Sequence, residues 1–172
     1  MKNIHFKRVS YSLLMIIFGL SSACNKEEST LHSKTNPPRE ENPNFLRDVT
    51  SILIGKGELY GAGAENIPKQ NMVISNTADW NDLKNKMNSV NDVTSTFSEP
   101  DVDFSNFMVI AIFDEVQMNG GYSVNVTDIV EDENNITVTV EYVSPSGLVK
   151  DVITQPFYII KIPRSQKPIV FN

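Results

Sequence analysis

The fold is decided by residues 101–130, which read DVDFSNFMVIAIFDEVQMNGGYSVNVTDIV. Residues 107–113 form an uninterrupted apolar run rich in β-branched and aromatic side chains, which is typical of a strand covered on both faces. Residues 122–127 alternate between apolar and polar side chains, as a half-buried strand does. The Asn-Gly-Gly sequence at residues 119–121 can adopt positive φ. The stretch therefore predicts a buried strand, a turn, and a second strand that returns beside the first.

The N-terminal segment resembles a bacterial lipoprotein signal. Three basic residues precede an apolar stretch at residues 11–20, and small residues then lead to Cys24, the only cysteine. Ten residues are too few to span a bilayer, which takes about 20. The resemblance implies that Cys24 is lipidated, although Leu20 lies one residue further from it than is usual. An ordinary cleaved signal followed by a free thiol is the alternative.

The residues that follow the cysteine predict where the protein resides. The sequence Asn-Lys-Glu-Glu at residues 25–28 is similar to the surface-export signal of lipoproteins in some Gram-negative bacteria. We therefore expect an outer-membrane lipoprotein exposed at the cell surface, with the periplasmic leaflet as the alternative. The acyl chains are then the contact with the membrane, because no long apolar stretch follows the signal.

Composition divides the chain into three parts: a signal at 1–23, the lipidated cysteine with a tether at 24–44, and one domain at 45–172. The tether is polar and contains three prolines, so it cannot bury enough apolar surface to fold. Without the three basic residues of the signal, 12 basic side chains face 21 acidic ones, a net charge of about −9. That balance argues against nucleic acid and against anionic lipid headgroups as partners.

The domain is predicted to contain one helix and six to eight strands. Asn76 and Thr77 mark the start of the helix, and four apolar side chains recur on one face, namely Trp80, Leu83, Met87 and Val90. Trp80 is interpreted as a core anchor, with a ligand platform as the alternative. Strands are predicted at residues 45–54, 70–75, 107–113, 122–130, 136–142, 154–163 and 169–171. The fold class is α+β, a mainly antiparallel, sandwich-like single domain with one amphipathic helix.

The domain lacks the residues that most catalytic and metal sites need. His5 and His32 lie in the signal and the tether, so a Ser-His-Asp or Cys-His arrangement cannot form within residues 45–172. We therefore expect no catalytic residues, no metal and no cofactor. Asp101 and Asp103 and the acidic run at 131–133 are interpreted as turn-forming or solvated. A carboxylate-dependent hydrolase, with two acids about 5–9 Å apart, is a minor alternative.

Four short motifs follow one another in the domain: Val-Ile before Trp-Asn-Asp-Leu at 73–83, Val-Asp-Phe at 102–104, Gly-Gly-Tyr-Ser-Val at 120–124, and Thr-Gln-Pro-Phe-Tyr with Ile-Pro at 154–163. In this order they resemble the C-terminal domain of the PrcB family, named for a lipoprotein that stabilises a protease complex. Asn119 departs from the family, which usually carries threonine there. The resemblance implies a non-enzymatic module that binds or stabilises a protein partner, typically an exported protease.

By that resemblance, the residues to watch for partner binding are Asn119, Gly120, Gly121, Tyr122, Pro156 and Tyr158. Backbone geometry alone also explains glycines at a turn and prolines at a strand edge. Residues 136–142 and 157–162 are predicted to be edge strands that could accept a partner's strand. The alternative function is carbohydrate binding by a surface lipoprotein, for which exposed Tyr60, Tyr142 and Tyr158 are the plausible aromatic set.

Overall fold

The computed structural model describes residues 46–172. The predicted signal peptide, the lipidation site Cys24 and the tether therefore lie outside the described residues. Within the described part, no helix is long and apolar enough to cross a membrane.

Two four-stranded sheets and one α-helix form the architecture of the described residues. The elements are β1 (Arg47–Asp48), β2 (Ile52–Leu59), β3 (Gln70–Ile74), α1 (Thr77–Met87), β4 (Phe107–Phe113), β5 (Ser123–Glu131), β6 (Ile136–Val143), β7 (Gln155–Pro163) and β8 (Ile169–Phe171). The first sheet has the order β1-β5-β6-β8, and the second has the order β2-β7-β4-β3. Every pairing is antiparallel except the short β6–β8 pair. The predicted α+β class, with mainly antiparallel sheets and one helix, is confirmed.

Strand β4 is buried on both faces, as its apolar run predicts. Its even-numbered residues, Met108, Ile110 and Ile112, join a core that includes residues of both sheets. Its odd-numbered residues, Val109, Ala111 and Phe113, join a second core that contains the buried face of α1. Burial of each large apolar side chain contributes about 1.5–3 kcal/mol. Because successive side chains of β4 enter opposite cores, this strand connects three layers, namely the helix, the second sheet and the first sheet.

Helix α1 begins where the capping residue predicts. The Asn76 side-chain Oδ1 accepts a hydrogen bond of 2.9 Å from the Asp79 backbone N–H, which satisfies one of the free donors of the first turn. Trp80 is buried, and its indole N–H donates to the Pro100 carbonyl at 2.9 Å. The core-anchor interpretation of Trp80 is confirmed. The assignment of Val90 to the buried face is wrong, because the helix ends at Met87 and Val90 is exposed.

The strands on either side of the Asn-Gly-Gly sequence do not pair with each other, and the predicted hairpin is wrong. Strand β4 pairs with β3 and β7, whereas β5 pairs with β1 and β6. Residues 114–122 carry the chain from the second sheet to the first. The glycines permit the reversal, but the intervening residues are numerous enough to let the returning strand join another sheet.

The single strand predicted at residues 45–54 is also wrong. The structure has β1 in the first sheet and β2 in the second, and Ile52 is exposed whereas Ile54 is buried. The register of β2 shifts between Leu53 and Gly55, so a bulge separates these positions. A Cβ built on Gly55 would lie 2.5 Å from the Phe97 ring, so the glycine permits a close approach of that ring.

The prediction of edge strands is wrong for β7 and for the first three residues of β6. Strand β7, predicted as an edge at residues 157–162, lies in the centre of the second sheet between β2 and β4. Strand β6 lies between β5 and β8 over Ile136, Thr137 and Val138. The prolines of β7 misled the prediction because they stand near the two ends of the strand, where they leave its central ladder intact.

Candidate functional site

The candidate residues 119–122 lie in the connection between β4 and β5, beside residues 150–154. The backbone N–H groups of Gln117 and Thr154 donate to each other's carbonyls, at 2.7 and 3.0 Å. Further along, the Gly120 N–H donates to the Lys150 carbonyl at 3.0 Å. The two segments therefore support each other outside the sheets.

Both glycines at this position have structural reasons for their small size. A Cβ on Gly120 would lie 2.9 Å from Val152 Cγ1, and Gly120 is buried. Gly121 has φ +91°, a conformation that L side chains rarely adopt, and its Cβ would lie 3.1 Å from Pro145. The geometry therefore explains these glycines through packing, and any contact with a partner would come from their neighbours.

Tyr122 lines an open groove of about 410 Å³ between the end of β2 and the start of β5. Tyr60 lines the same groove, and its hydroxyl donates to Glu58 Oε2 at 2.9 Å. This hydrogen bond, with help from partial burial, raises the pKa of Tyr60 above its usual value. Asn119 is half-buried, and its carbonyl lies 3.5 Å from the Thr154 hydroxyl. Two aromatic rings and several polar groups thus share one groove.

Pro156 and Tyr158 have different surroundings from these surface residues. Pro156 is buried in β7, and its carbonyl accepts from the Asp114 N–H at 3.0 Å. Tyr158 packs against the core that includes residues of both sheets. Tyr142 is exposed at 40 % and covers the Lys69 ammonium, which lies 4.1 Å from its ring centroid. The structure therefore places the three tyrosines proposed for carbohydrate binding in three different environments.

Sequence reasoning missed several exposed apolar side chains at residues 114–122 and 143–154, two stretches of the chain that the hydrogen bonds described above join. We call them the loop patch, which consists of Val116, Met118, Val143, Leu148 and Val149. Met118 is 68 % exposed and Leu148 fully exposed. Large apolar side chains exposed on stretches of backbone that are joined in this way are candidates for an interaction site. The sequence feature that could have predicted these residues is the presence of large apolar side chains within segments otherwise rich in turn-forming residues.

A buried carboxylate links the loop patch to the start of β3. Asp114 is 4 % exposed, and its Oδ1 lies 2.8 Å from the Lys69 ammonium. The hydrogen bond from Lys69 to Asp114 raises the pKa of Lys69 above its ordinary value. The Gln155 side-chain amide donates to the carbonyls of Asp114 and Ile67, at 2.9 and 2.7 Å. This polar network fixes residue 114, where the connection to the loop patch begins.

Asp103 forms a turn, as its interpretation predicts, whereas Glu131 lies at the end of β5 and not in a solvated turn. Asp103 accepts hydrogen bonds from the Ser105 N–H at 2.9 Å and from the Asn106 amide at 2.8 Å. Glu131 forms ion pairs with Lys167 and Arg47, and these two partners lower the pKa of Glu131. Among residues 46–172, no group of three or more His, Cys, Asp or Glu side chains is placed to hold a metal ion.

These features define the class of protein: an α+β sandwich domain with exposed apolar side chains in and beside the two segments that connect its sheets. The family described as PrcB C-terminal matches residues 108–163, which run from β4 to the end of β7. The match confirms the predicted family resemblance over this stretch. No curated protein and no solved structure matches the chain.

Proposed function

We propose that this chain is a lipid-anchored accessory protein that binds a protein partner, and that the partner is an exported protease complex. The match of residues 108–163 to the PrcB C-terminal family supports a protease-associated role. The observation that carries the binding role is the exposed loop patch. Such a patch gains free energy when a complementary apolar surface covers it, at about 25 cal/mol per Å².

The loop patch is suited to docking because part of its backbone, around Met118, is held in place. The hydrogen bonds between residues 117–120 and 150–154 limit its freedom before a partner arrives. A surface that is ordered in advance loses less conformational entropy on binding. Asn119 and Tyr122, which follow Met118 closely in the chain, are proposed as polar contacts at the rim of the patch.

The attachment to the outer membrane is proposed to occur through lipid on Cys24. Replacement Cys24→Ser should move the protein from the membrane fraction to the soluble extract of the cells. Digestion of intact cells with an added protease should remove the wild-type protein if it faces outward, and should spare it if it faces the periplasm. Retention of the Cys24→Ser variant in the membrane fraction would refute lipid anchoring.

We also propose that the chain is not itself an enzyme. Residues 45–172 contain neither histidine nor cysteine, so the commonest nucleophile–base pairs cannot form there. The accessory role therefore consists of stabilising, positioning or tethering its partner.

The docking surface can be tested by cross-linked pull-down of the lipidated protein from intact cells, followed by mass spectrometry. Wild-type protein should recover one exported protease, and Met118→Glu should lose it because a charge enters the apolar patch. The matched control is Val90→Glu, which adds the same charge at another exposed apolar position and should keep the partner. Equal recovery with Met118→Glu would refute the loop patch as the docking surface.

The groove shared by Tyr60 and Tyr122 favours a second candidate, carbohydrate binding. Aromatic rings flanked by polar groups can stack on sugar rings and bond their hydroxyls. The carbohydrate function replaces the first proposal under two conditions. The pull-down recovers no partner protein, and this chain is retained on a glycan column in a way that Tyr122→Ala abolishes.

A further inference from the structure

The outer edge of β3 is an unpaired strand edge. Strand β3 pairs only with β4, in a continuous register from Gln70 opposite Phe113 to Ile74 opposite Val109. In an antiparallel pair, alternate residues direct both their N–H and C=O groups to the same neighbour. The other residues of β3 therefore direct their N–H and C=O groups away from β4. On that side of β3, no other strand of the described residues pairs with them.

The outer strands β1, β8 and β2, and strand β5 where it extends past β1, are short, irregular or bonded by another segment. Strands β1 and β8 have two and three residues. Strand β5 has a register shift between Val126 and Asp128. Strand β2 has its own bulge, and Ser98 bonds two of its carbonyls. Proteins commonly use such devices to prevent edge-to-edge pairing, and β3 has none of them within its five residues.

A groove of about 230 Å³ lies between β3 and α1. Met72 and Leu83 line it with apolar surface, and Asp79 and Asp82 line it with carboxylates. Neither carboxylate forms an ion pair within residues 46–172, although Lys86 also lines the groove. Residues 46–172 carry nine basic and seventeen acidic side chains, so the domain as a whole repels acidic partners.

We propose that the outer edge of β3 accepts an extended basic segment of the protein partner as a fifth strand of the second sheet. The inference rests on the proposed function, since it names a further surface and the chemistry of the same partner. Side chains of an added strand alternate between two faces. Those facing α1 should be basic, to meet Asp79 and Asp82, and those on the other face should be apolar, to cover Val73.

The position of β3 allows one partner to cover both surfaces. Lys69, the residue before β3, forms its ion pair with Asp114, from which the chain continues towards Val116 and Met118 of the loop patch. A partner bound at the loop patch would therefore hold its extended segment at high effective concentration beside the strand edge.

The test places a photo-cross-linking amino acid in the full-length chain, expressed in the cells that make it. One variant carries the cross-linker at Val73 on β3, and the matched control carries it at Ile52 on β2, with exposed fractions of 42 % and 40 %. Mass spectrometry then identifies the cross-linked peptide. The Val73 position should give several-fold more product than Ile52, and the peptide should contain more Lys and Arg than Asp and Glu.

Two further substitutions separate charge from position. Asp82→Lys, in the Val73 cross-linking background, should lower the yield about tenfold because it places like charges together. Asp92→Lys makes the same charge change at an exposed site outside the groove and should leave the yield unchanged. A synthetic peptide of the cross-linked sequence should bind the purified protein, and methylation of its alternate backbone nitrogens should weaken binding.

The outcomes distinguish this inference from the proposed function. Equal products at Ile52, an acidic cross-linked peptide, or no effect of Asp82→Lys would overturn the strand-edge inference. If a cross-linker at Met118 captures the protease while Val73 captures nothing, the strand-edge inference fails and the proposed function stands. If none of the three positions captures a protein, both fail.

Discussion

The two outer strands of the second sheet, β2 and β3, meet their surroundings differently. The first half of β2 is bulged and covered: Phe97 packs against Gly55, and Ser98 donates from its hydroxyl to the Leu53 carbonyl at 2.7 Å. Strand β3 is regular and uncovered at its outer edge. The second sheet therefore has one edge partly covered by its own chain and one edge with which no other described strand pairs. The difference separates residues that stabilise the fold from residues available for binding.

The largest expected effect comes from removing the cover of β2. Phe97 is 7 % exposed and stacks on Trp80 with ring centroids 6.0 Å apart. Phe97→Ala should lower the free energy of unfolding by about 3–5 kcal/mol, because it leaves a cavity in the core. Urea unfolding measures this, with Leu148→Ala as the exposed control. A loss below about 1 kcal/mol would show that the cover adds little.

The close approach at Gly55 can be tested separately. Gly55→Ala should lower the free energy of unfolding by about 1–3 kcal/mol, because the new methyl group meets the Phe97 ring. In the double variant with Phe97→Leu, the smaller side chain should make room for the methyl group, so the two losses should sum to less than expected. A double-mutant cycle based on urea unfolding measures this difference. Strictly additive losses would contradict a direct clash between these two positions.

The start of β3 depends on an ion pair rather than on packing. Lys69→Met should lower the free energy of unfolding by about 1–2 kcal/mol, because buried Asp114 loses its cation. The pKa of Lys69 is raised in the folded state, so the contribution of the ion pair to stability is full below the unfolded-state pKa of about 10.4. This contribution is lost as the pH rises past the pKa of Lys69 in the folded state. Wild-type stability should therefore fall in alkali more steeply than that of Lys69→Met, and equal slopes would contradict this.

A smaller effect is expected where a hydroxyl closes the edge of β2. Ser98→Ala removes the hydrogen bond to the Leu53 carbonyl but keeps the backbone bond from the Ser98 N–H to the Ile54 carbonyl. The free energy of unfolding should fall by about 1 kcal/mol. Ser95→Ala is the matched control, since the Ser95 hydroxyl bonds only within its own turn. An equal loss for both would assign no special role to Ser98.

The smallest change in stability is expected at the edge of β3. Val73→Lys should alter the free energy of unfolding by less than about 0.5 kcal/mol, because Val73 is exposed. The same substitution should weaken partner binding about tenfold, since a lysine at an edge disfavours strand addition and repels a basic segment. If Val73→Lys strongly destabilises the protein but leaves partner binding unchanged, β3 serves stability and not binding, and the account of the two edges is contradicted.

The residues of the buried centre could be predicted from the sequence, whereas the pairing of its strands could not. The apolar run from Phe107 to Phe113 indicates burial on both faces, and the structure confirms it. The Asn-Gly-Gly sequence indicates a reversal, but nothing local determines which sheet the following strand joins. The same limit applies to residues 45–54, where a continuous β-forming pattern crosses from one sheet to the other at residues 49–51.

The candidate site was predictable only in part, for a related reason. The family resemblance predicts residues 119–122, which lie in the connection between β4 and β5 and contain the buried Gly120. Pro156 is buried, because its strand lies in the centre of its sheet and not at the edge. Surface exposure and open strand edges arise from the arrangement of whole elements. The loop patch and the outer edge of β3 therefore become visible only after the sheets are assembled.

The most direct test of the account is amide hydrogen exchange in β2 and β3, measured on the purified protein alone and with a partner recovered by the proposed pull-down. In the free protein, alternate amides of Gln70–Ile74 should exchange rapidly, and the Ser98 amide that covers β2 should be protected. Partner binding should protect the exposed amides of β3 and leave β2 unchanged. Protection of β3 in the free protein, or partner protection confined to β2, would contradict the account.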